Sequence, residues 1–426
     1  MIVNTNVLAD ILSVSKKNIL SKVNNGTLKS IGKDDKDNPI FDLSTLDSIP
    51  IIHEMLSSNA DNEMMVKPTR NYTSVELFAG AGGLGIGLER AGFKHLLLNE
   101  IDKHASNTLR HNRPNWNVVN DDICNVSFKE FHGQVDLLSG GFPCQAFSYA
   151  GKKLGLNDTR GTLFYEFARA VSEIQPRVFI AENVRGLLNH DHGKTFQVIK
   201  DVIDDIGYTL ITYDVLKAIF YRVPQKRERL ILVAVRDDLL MSPHPFRMPS
   251  KHNCIYTMKD ALFPSPLYPE PICSSEGQLY PKRKAEILKN VPQGGYWKDL
   301  PIELQKEYMQ GSFFLGGGKT GMARRLSLDE PSLTLTCSPA QKQTERCHPL
   351  ETRPLNVREY ARVQTFPDDW HFTGPISAQY KQIGNAVPCN LAERIGNSII
   401  SMLNSMELGV TSEISSSENI EQLNLF

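Results

Sequence analysis

The chain has 426 residues, of which 41% are hydrophobic and 22% charged, with a formal net charge of −1 at pH 7. These values are ordinary for a globular protein with a large main domain and one or two smaller modules. No apolar run approaches the ~20 residues of a membrane helix, the N-terminus lacks a signal-peptide pattern, and seven cysteines without a CxxC pair argue against a metal site or a disulfide framework. We therefore expect a cytoplasmic protein without a membrane partner.

The first 56 residues predict a small helical module. Apolar residues recur at helical spacing in residues 7–12, and Ser15 can cap a second helix over residues 16–24. An extended segment follows at residues 39–41. The pattern resembles a helix-turn-helix with a small wing, which would bind DNA. The alternative is a helical hairpin that only packs on the main domain.

Residues 57–72 are predicted to be a linker, and from Thr73 short apolar runs alternate with helical stretches. The runs predicted as strands are residues 74–78, 95–99, 135–139, 177–181, 208–216 and 230–235. This alternation favours an α/β fold with a doubly wound, mostly parallel sheet.

The alternation of predicted strands and helices ends at about Ser242, and residues 242–350 are predicted to form a smaller, irregular domain. Helical spacing returns at residues 357–364 and 389–402. The main domain is therefore expected to comprise residues 73–241 and 351–405, with a polar tail over residues 406–426.

A glycine-rich turn over residues 79–85 joins a predicted strand to a helix and indicates a cofactor site. Glycines let the backbone approach a ligand, and the helix N-terminus offers free amides. Glu100, at the end of the next strand, can hold a ribose diol, and Asp122 can take an adenine amino group. Phe78 can place its ring against an adenosyl or cationic group. Alternatively, the turn alone could be a dinucleotide fingerprint, and both carboxylates could be solvated strand ends.

A candidate nucleophile follows another predicted strand. Cys144 lies in a loop beyond the strand at residues 135–139, and Glu182 ends the strand at residues 177–181. The chemistry of open α/β sheets is found at this edge. If the two strands are neighbours, the thiol and the carboxyl group face one pocket.

Five motifs in this order resemble those of the DNA cytosine-5 methyltransferases of bacterial restriction-modification systems. They are Phe78-Ala79-Gly80-x-Gly82-Gly83, Pro143-Cys144-Gln145, Glu182-Asn183-Val184, Gln225-Lys226-Arg227-Glu228-Arg229 and Gly384-Asn385-Ala386-Val387-Pro388. The resemblance covers about residues 73–240 and 352–403. It implies a Rossmann-like S-adenosylmethionine-dependent fold.

The resemblance also implies a mechanism and a set of site residues. Cys144 attacks C6 of a flipped cytosine, Glu182 hydrogen-bonds or protonates N3, and Arg229 with Arg227 orients the base. Alternatively, Arg227 pairs with Glu228 or Glu182, and Asn385 caps a helix. The residues expected to bind the cofactor are Phe78, Gly80, Gly82, Gly83, Glu100, Asp122, Ile123, Pro143, Leu163, Asn385 and Val387.

The resemblance places a target-recognition domain at residues 242–350, and double-stranded DNA is the expected partner. The residues expected to contact DNA are Gln145, Ser148, Arg324, Arg325, Thr334 and Thr336. The two arginines could equally be a solvated pair. The N-terminal module is also expected to bind an operator and regulate expression, and the protein would be nucleoid-associated when bound to DNA.

The C-terminal pentapeptide Gln422-Leu423-Asn424-Leu425-Phe426 resembles a sliding-clamp docking motif, with a chance apolar terminus as the alternative. A cognate restriction endonuclease is expected as a functional partner without physical contact. Two rival functions stay open at this point. One is methylation of a transfer-RNA cytosine by the same catalytic set, and the other is a regulator with a decayed catalytic half.

Overall fold

The computed structural model describes residues 1–143, 163–241, 244–316 and 319–409. The predicted nucleophile Cys144, the predicted DNA contacts Gln145 and Ser148, and the pentapeptide 422–426 lie outside the described residues.

The N-terminal module has the two helices and the extended segment that the sequence predicts. The side chain of Ser15 accepts a hydrogen bond from the Asn18 amide and caps the second helix. Three short strands form an antiparallel sheet in the order β1-β3-β2. The elements are β1 (Ile2–Asn4), α1 (Thr5–Leu12), α2 (Lys16–Asn24), β2 (Gly32–Lys33), β3 (Pro39–Asp42) and α3 (Pro50–Leu56).

This module shares a hydrophobic core with the main domain, because Ile11 and Phe41 belong to the same buried cluster as Leu216. The stretch predicted as a linker is structured as well. It contains the short helix α4 (Ala60–Glu63), and Arg394 donates a hydrogen bond to the Ala60 carbonyl and pairs with Glu63. Residues 57–72 therefore fix the module to the main domain.

The main domain is built on a seven-stranded sheet in the order β6-β5-β4-β7-β8-β11-β9. The predicted strands are confirmed, with bounds shifted by a few residues. Five strands are mutually parallel, and β11 runs antiparallel to both of its neighbours. The strands of this sheet are β4 (Tyr72–Leu77), β5 (Phe93–Asn99), β6 (Val118–Val119), β7 (Leu137–Gly140), β8 (Val178–Asn183), β9 (Tyr208–Lys217) and β11 (Glu228–Arg236). The short strand β10 (Gln225–Lys226) lies outside this sheet and pairs with residues 332–333.

Helices cover both faces of this sheet, as apolar strands require. Alternate residues of β8 go to opposite faces: Val178 packs in a cluster with Leu88 of α5 and Ile395 of α14, whereas Phe179 packs with Phe167 of α7 and Ile199 of α8. The helices concerned are α5 (Gly83–Ala91), α6 (Lys103–Asn112), α7 (Leu163–Ile174), α8 (Lys194–Asp205) and α14 (Cys389–Leu408).

Residues 244–350 contain little regular structure, as their sequence indicates. A separate hydrophobic core begins near Tyr280 and includes Trp297 and Met309, whereas Phe246 and Met258 pack into cores of the main domain. The elements here and beyond are α9 (Met258–Leu262), α10 (Lys282–Leu288), α11 (Ile302–Met309), β12 (Ser332–Leu333), α12 (Val357–Val363) and α13 (Ile376–Asn385). No helix in the described part of the chain is long and apolar enough to cross a membrane.

Candidate active site

A cavity of about 590 Å³ opens where β4, β5, β7 and β8 end. The carboxyl ends of parallel strands meet here, and ligands of open α/β sheets bind at this edge. The lining includes nine of the predicted site residues: Phe78, Gly80, Gly83, Glu100, Pro143, Glu182, Arg229, Asn385 and Val387. Gly82, Asp122, Ile123 and Leu163 are outside this lining. Asp122 instead caps a short turn by accepting from the Cys124 amide.

The glycine turn follows β4 and has a backbone that few other residues would adopt. Phe78 and Gly80 both have φ of +56°, a left-handed conformation that is rare for a phenylalanine. Gly83 approaches the segment before the last helix so closely that a Cβ atom there would lie 2.2 Å from the Val387 carbonyl oxygen. The turn is thus held against residues 386–387, which close the cavity from the other side.

Glu100 braces this turn in addition to facing the cavity. Its two carboxylate oxygens accept hydrogen bonds from the backbone amides of Gly80 and Asp102, each at 2.7 Å. Burial raises the pKa of Glu100, and these backbone hydrogen bonds oppose that shift. The adjacent Ile101 is 65% exposed, so an aliphatic side chain stands at the cavity edge.

Glu76 is a cavity residue that the sequence analysis missed. It is 1% exposed, and its Oε2 atom has no hydrogen-bond partner in the described structure. Burial, followed by the charge of Glu100, raises the pKa of Glu76 to about 8. The available signal was a charged residue inside the apolar run Val75-Glu76-Leu77. A buried carboxyl group of this kind suits a cationic ligand.

Replacing Glu76 by glutamine should weaken the pH dependence of stability. The folded protein keeps this carboxyl neutral up to about pH 8, whereas the ordinary pKa is 4.5. The unfolded chain therefore binds fewer protons in this window, and each pH unit of increase lowers the free energy of unfolding by up to about 1.4 kcal/mol. Urea unfolding of ligand-free protein at about pH 5.5 and about pH 7.5 measures the effect. Identical pH dependence in E76Q and the wild type would contradict it.

Glu182 and Arg229 form an ion pair inside the cavity. The Arg229 Nε atom contacts the Glu182 carboxylate, and both side chains are only 12–15% exposed. Gly141 lies close beside them: a Cβ atom there would lie 2.7 Å from Glu182 Oε2, so a larger residue would displace the end of the Glu182 side chain. Asn183 donates a hydrogen bond to the Phe142 carbonyl at 2.9 Å. The end of β8 therefore fixes the backbone one residue before Pro143.

Arg227 is placed differently from the prediction that it orients a base. It is 1% exposed, and its guanidinium donates to the carbonyls of Leu335 and Asn385, both at 3.4 Å. Burial, reinforced by the nearby Arg229, lowers the pKa of Arg227 to about 9. The predicted alternative of an ion pair is not formed, because Glu182 pairs with Arg229 and Glu228 with Arg185. Arg227 thus ties Leu335, in the smaller domain of residues 242–350, to the C-terminal end of α13.

Asn385 is the last residue of α13 rather than the cap of the following helix, which begins after Pro388. It is exposed at the cavity, and its Oδ1 atom accepts from the Cys337 thiol at 3.1 Å. This position fits a residue that closes the cavity.

The structure places Arg325 away from the solvent, whereas the sequence suggested either a DNA contact or a solvated pair with Arg324. Arg325 is 5% exposed. Its guanidinium donates to the carbonyls of Leu288, Val291, His348 and Glu351 and to the Thr352 hydroxyl. The N–H donors of the Arg325 guanidinium are thus all engaged by neighbouring residues. Arg325 therefore holds residues 288–291 and 348–352 together.

The other predicted recognition residues are more accessible. Arg324 is partly exposed and lies 5.8 Å over the Tyr296 ring. Thr334 donates its hydroxyl to the Lys226 carbonyl and Thr336 to that of Ser338. The hydroxyl oxygens keep lone pairs with which they can accept a further hydrogen bond.

Comparison with known proteins agrees with this geometry. The family model for C-5 cytosine-specific DNA methylase matches residues 72–401. The chain is 60% identical to the Type II methyltransferase M.Eco47II of Escherichia coli over 396 residues, covering 93% of this chain and 94% of the relative. It is 58% identical to the Type II methyltransferase M.PspPI of Psychrobacter sp. (strain TA137) over 398 residues, covering 93% and 95%. A solved structure of a prophage-encoded DNA modification methyltransferase from E. coli is similar with a TM-score of 0.56 and 26% identity, covering 78% of this chain and all of that one.

Proposed function

Because this chain belongs to the C-5 cytosine-specific DNA methylases, we propose that it methylates a flipped cytosine in a specific duplex sequence through a covalent Cys144 adduct. The coarser activity follows from family membership: the chain is a DNA (cytosine-5-)-methyltransferase that uses S-adenosylmethionine, of the Type II restriction-modification kind. A cognate endonuclease is part of the proposal as a functional partner only.

The cavity residues fit the cofactor. Its volume of about 590 Å³ lies in the ordinary range for ligand sites. The buried carboxyl groups of Glu76 and Glu100 offer acceptors to cationic and hydroxyl groups, and the Phe78 ring suits a sulfonium. Phe78, Gly80, Gly83, Glu100, Asn385 and Val387 would hold S-adenosylmethionine, which when bound supplies an electrophilic methyl group. Pro143, Gly82, Asp122, Ile123 and Leu163 are proposed as further cofactor contacts, the last four from outside the lining of this cavity.

The proposed chemistry begins with the thiolate of Cys144, which forms a bond to C6 of cytosine. Addition at C6 breaks the C5–C6 π bond, and Glu182 in its protonated form donates a hydrogen bond or a proton to N3 and so stabilises the electron pair that moves into the ring. Arg229 keeps Glu182 in the cavity and can donate to the O2 atom of the base. C5 would take its methyl group from S-adenosylmethionine, which leaves as S-adenosylhomocysteine. A base then removes the C5 proton, the electrons of that C–H bond restore the C5–C6 double bond, and the C6–sulfur bond breaks to release the Cys144 thiolate.

The target base cannot reach these groups while it is stacked in a duplex, so it must be extruded. We propose that Gln145 and Ser148, in the loop after Cys144, occupy the gap or hold the flanking phosphate. Arg324, Thr334 and Thr336 are proposed to face the duplex from the recognition side.

The observation that carries the proposal is the Glu182–Arg229 pair, located beside Pro143 in the cavity that the glycine turn also lines. Bisulfite sequencing of a plasmid from a host expressing the protein should show one short sequence methylated at every copy. Comparison of tritiated methyl transfer to duplex DNA and to transfer RNA separates the DNA activity from the rival RNA activity. Transfer to RNA alone would reject the proposal.

We also propose that the pentapeptide 422–426 docks on a replication sliding clamp. A polar segment ending in apolar anchors suits a groove on a partner. Deleting these five residues should abolish retention on immobilised clamp while leaving methyl transfer to free DNA unchanged. Unchanged retention would remove this part of the proposal.

A further inference from the structure

The N-terminal module is joined to the main domain by partly buried ion pairs. Lys226 belongs to the motif of residues 225–229. Its ammonium group lies 2.7 Å from Asp10 Oδ2 of α1 and 3.1 Å from Glu330 Oε2, in the predicted recognition domain of residues 242–350. All three side chains are no more than 26% exposed. Asn6 also donates to Glu330 at 2.7 Å. Because these groups are largely shielded from solvent, the module sits in a defined place beside the cleft.

The turn between α1 and α2 lies at the mouth of the cleft. Ser13 and Val14 of this turn line a cavity of about 540 Å³ together with Val184 and Arg229, and Lys217 donates to the Ser13 hydroxyl. Val184 and Arg229 also line the candidate active-site cavity, which is the proposed base pocket. The cavity beside the α1–α2 turn and the active-site cavity therefore share a wall. Helix α2 therefore begins next to the place where the target strand must run.

The first residue of α2 also faces the recognition side. Lys16 lines a further cavity of about 590 Å³ that includes Tyr296 and Arg324. The start of α2 is thus bordered by the base pocket on one side and by the recognition segment on the other.

The outer face of α2 is polar, basic and exposed. Of its nine residues only Ile19 is fully buried, whereas Lys17, Asn18, Ser21 and Asn24 are exposed. Residues 16–33 contain five lysines and no carboxylate. Lysine, asparagine and serine are side chains that contact phosphates and base edges, so this face is complementary to a DNA duplex.

The two most similar relatives named above share this module at least in part. The match to M.Eco47II spans 396 residues, which is more than the segment 72–426 contains. The match must therefore extend into the N-terminal region. Part of the N-terminal region is thus matched together with the catalytic domain in those methyltransferases.

We infer that α2 and the following Lys29 bind the flank of the same duplex whose cytosine is being methylated, so that the module extends the enzyme's own DNA-binding surface. This inference rests on the proposed function. It differs from operator binding, which would engage a separate DNA segment, because the module lies beside the cleft.

The test compares the full-length enzyme with two double variants that each remove two exposed lysines. K17A/K29A changes the proposed surface. K94A/K129A is the matched control, because Lys94 at the start of β5 and Lys129 before β7 lie at the opposite, N-terminal edge of the sheet. Substrates are hemimethylated duplexes carrying the site found by bisulfite sequencing, which fix the target strand. Their flanks are short, or extended to about 40 base pairs on one side or the other.

We expect extension on one side to tighten wild-type and K94A/K129A binding about 10-fold, and K17A/K29A to lose this gain. Each phosphate contact contributes about 0.9 to the slope of log K against log salt, so the K17A/K29A slope should fall by about 1–2 on the extended duplex. Methyl transfer to the short duplex should be equal in all three proteins. No gain in the wild type, an equal gain in K17A/K29A, or an equal loss in K94A/K129A overturns the inference. Methylation of the short duplex by the wild type would then still leave the proposed function intact.

Discussion

Replacing Cys144 by alanine should abolish methyl transfer to duplex DNA while leaving cofactor binding within about twofold of the wild type. Without the thiolate no group can add to C6, and C5 of an intact aromatic ring is a poor nucleophile. The rate of methyl transfer should fall by more than about 10⁴-fold, because covalent addition to C6 is the step that makes C5 reactive and the variant lacks the nucleophile for it. Single-turnover transfer of a tritiated methyl group measures the rate, and calorimetry with S-adenosylhomocysteine measures the cofactor site.

Cys273→Ala is the matched control for this change. Cys273 is an exposed thiol in the smaller domain, and its loss should leave the rate unaltered. A C144A protein that transfers methyl groups at a rate near that of C273A would show that the chemistry uses another nucleophile.

Replacing Glu182 by glutamine should lower the single-turnover rate by about 10²–10⁴-fold, the usual contribution of a positioned general acid. An amide of the same shape can still donate a hydrogen bond to N3, but it cannot transfer a proton and loses its charge pairing with Arg229. DNA affinity, measured by fluorescence anisotropy on the same duplex, should change much less than the rate.

Glu130→Gln removes a carboxylate from an exposed residue at the far edge of the sheet and serves as the control. If E182Q lowered affinity and rate in equal proportion, Glu182 would be acting in ground-state binding rather than in the chemical step.

Local signals made much of the fold predictable. The α2 helix starts and ends where Ser15 and Asn25 indicate, because capping depends on neighbouring residues. The strands of the main sheet follow from their apolar runs. The reversed direction of β11 could not be read in the same way, since a buried strand has a similar composition in either orientation.

Site residues could be predicted where they lie in one motif or in adjacent elements of the chain. They could not be predicted where contacts join segments that are distant in sequence. Phe78, Gly80 and Glu100 come together through one strand-turn-helix unit and the next strand. The buried position of Arg325 could not be predicted, because its five acceptors come from two segments, 288–291 and 348–352, that only folding brings around it. The pairing of Lys226 with Asp10 joins residues more than 200 positions apart, and no spacing in the chain indicates it.

The most direct measurement is a covalent trap with a duplex that carries 5-fluorocytosine at the target position. With the wild-type protein and S-adenosylmethionine we predict an adduct that survives denaturing electrophoresis, because fluorine at C5 prevents the proton loss that would release the enzyme. The adduct should be missing with C144A and present with C273A. A wild-type protein that forms no adduct, or a C144A protein that forms the same amount, would contradict the proposed mechanism.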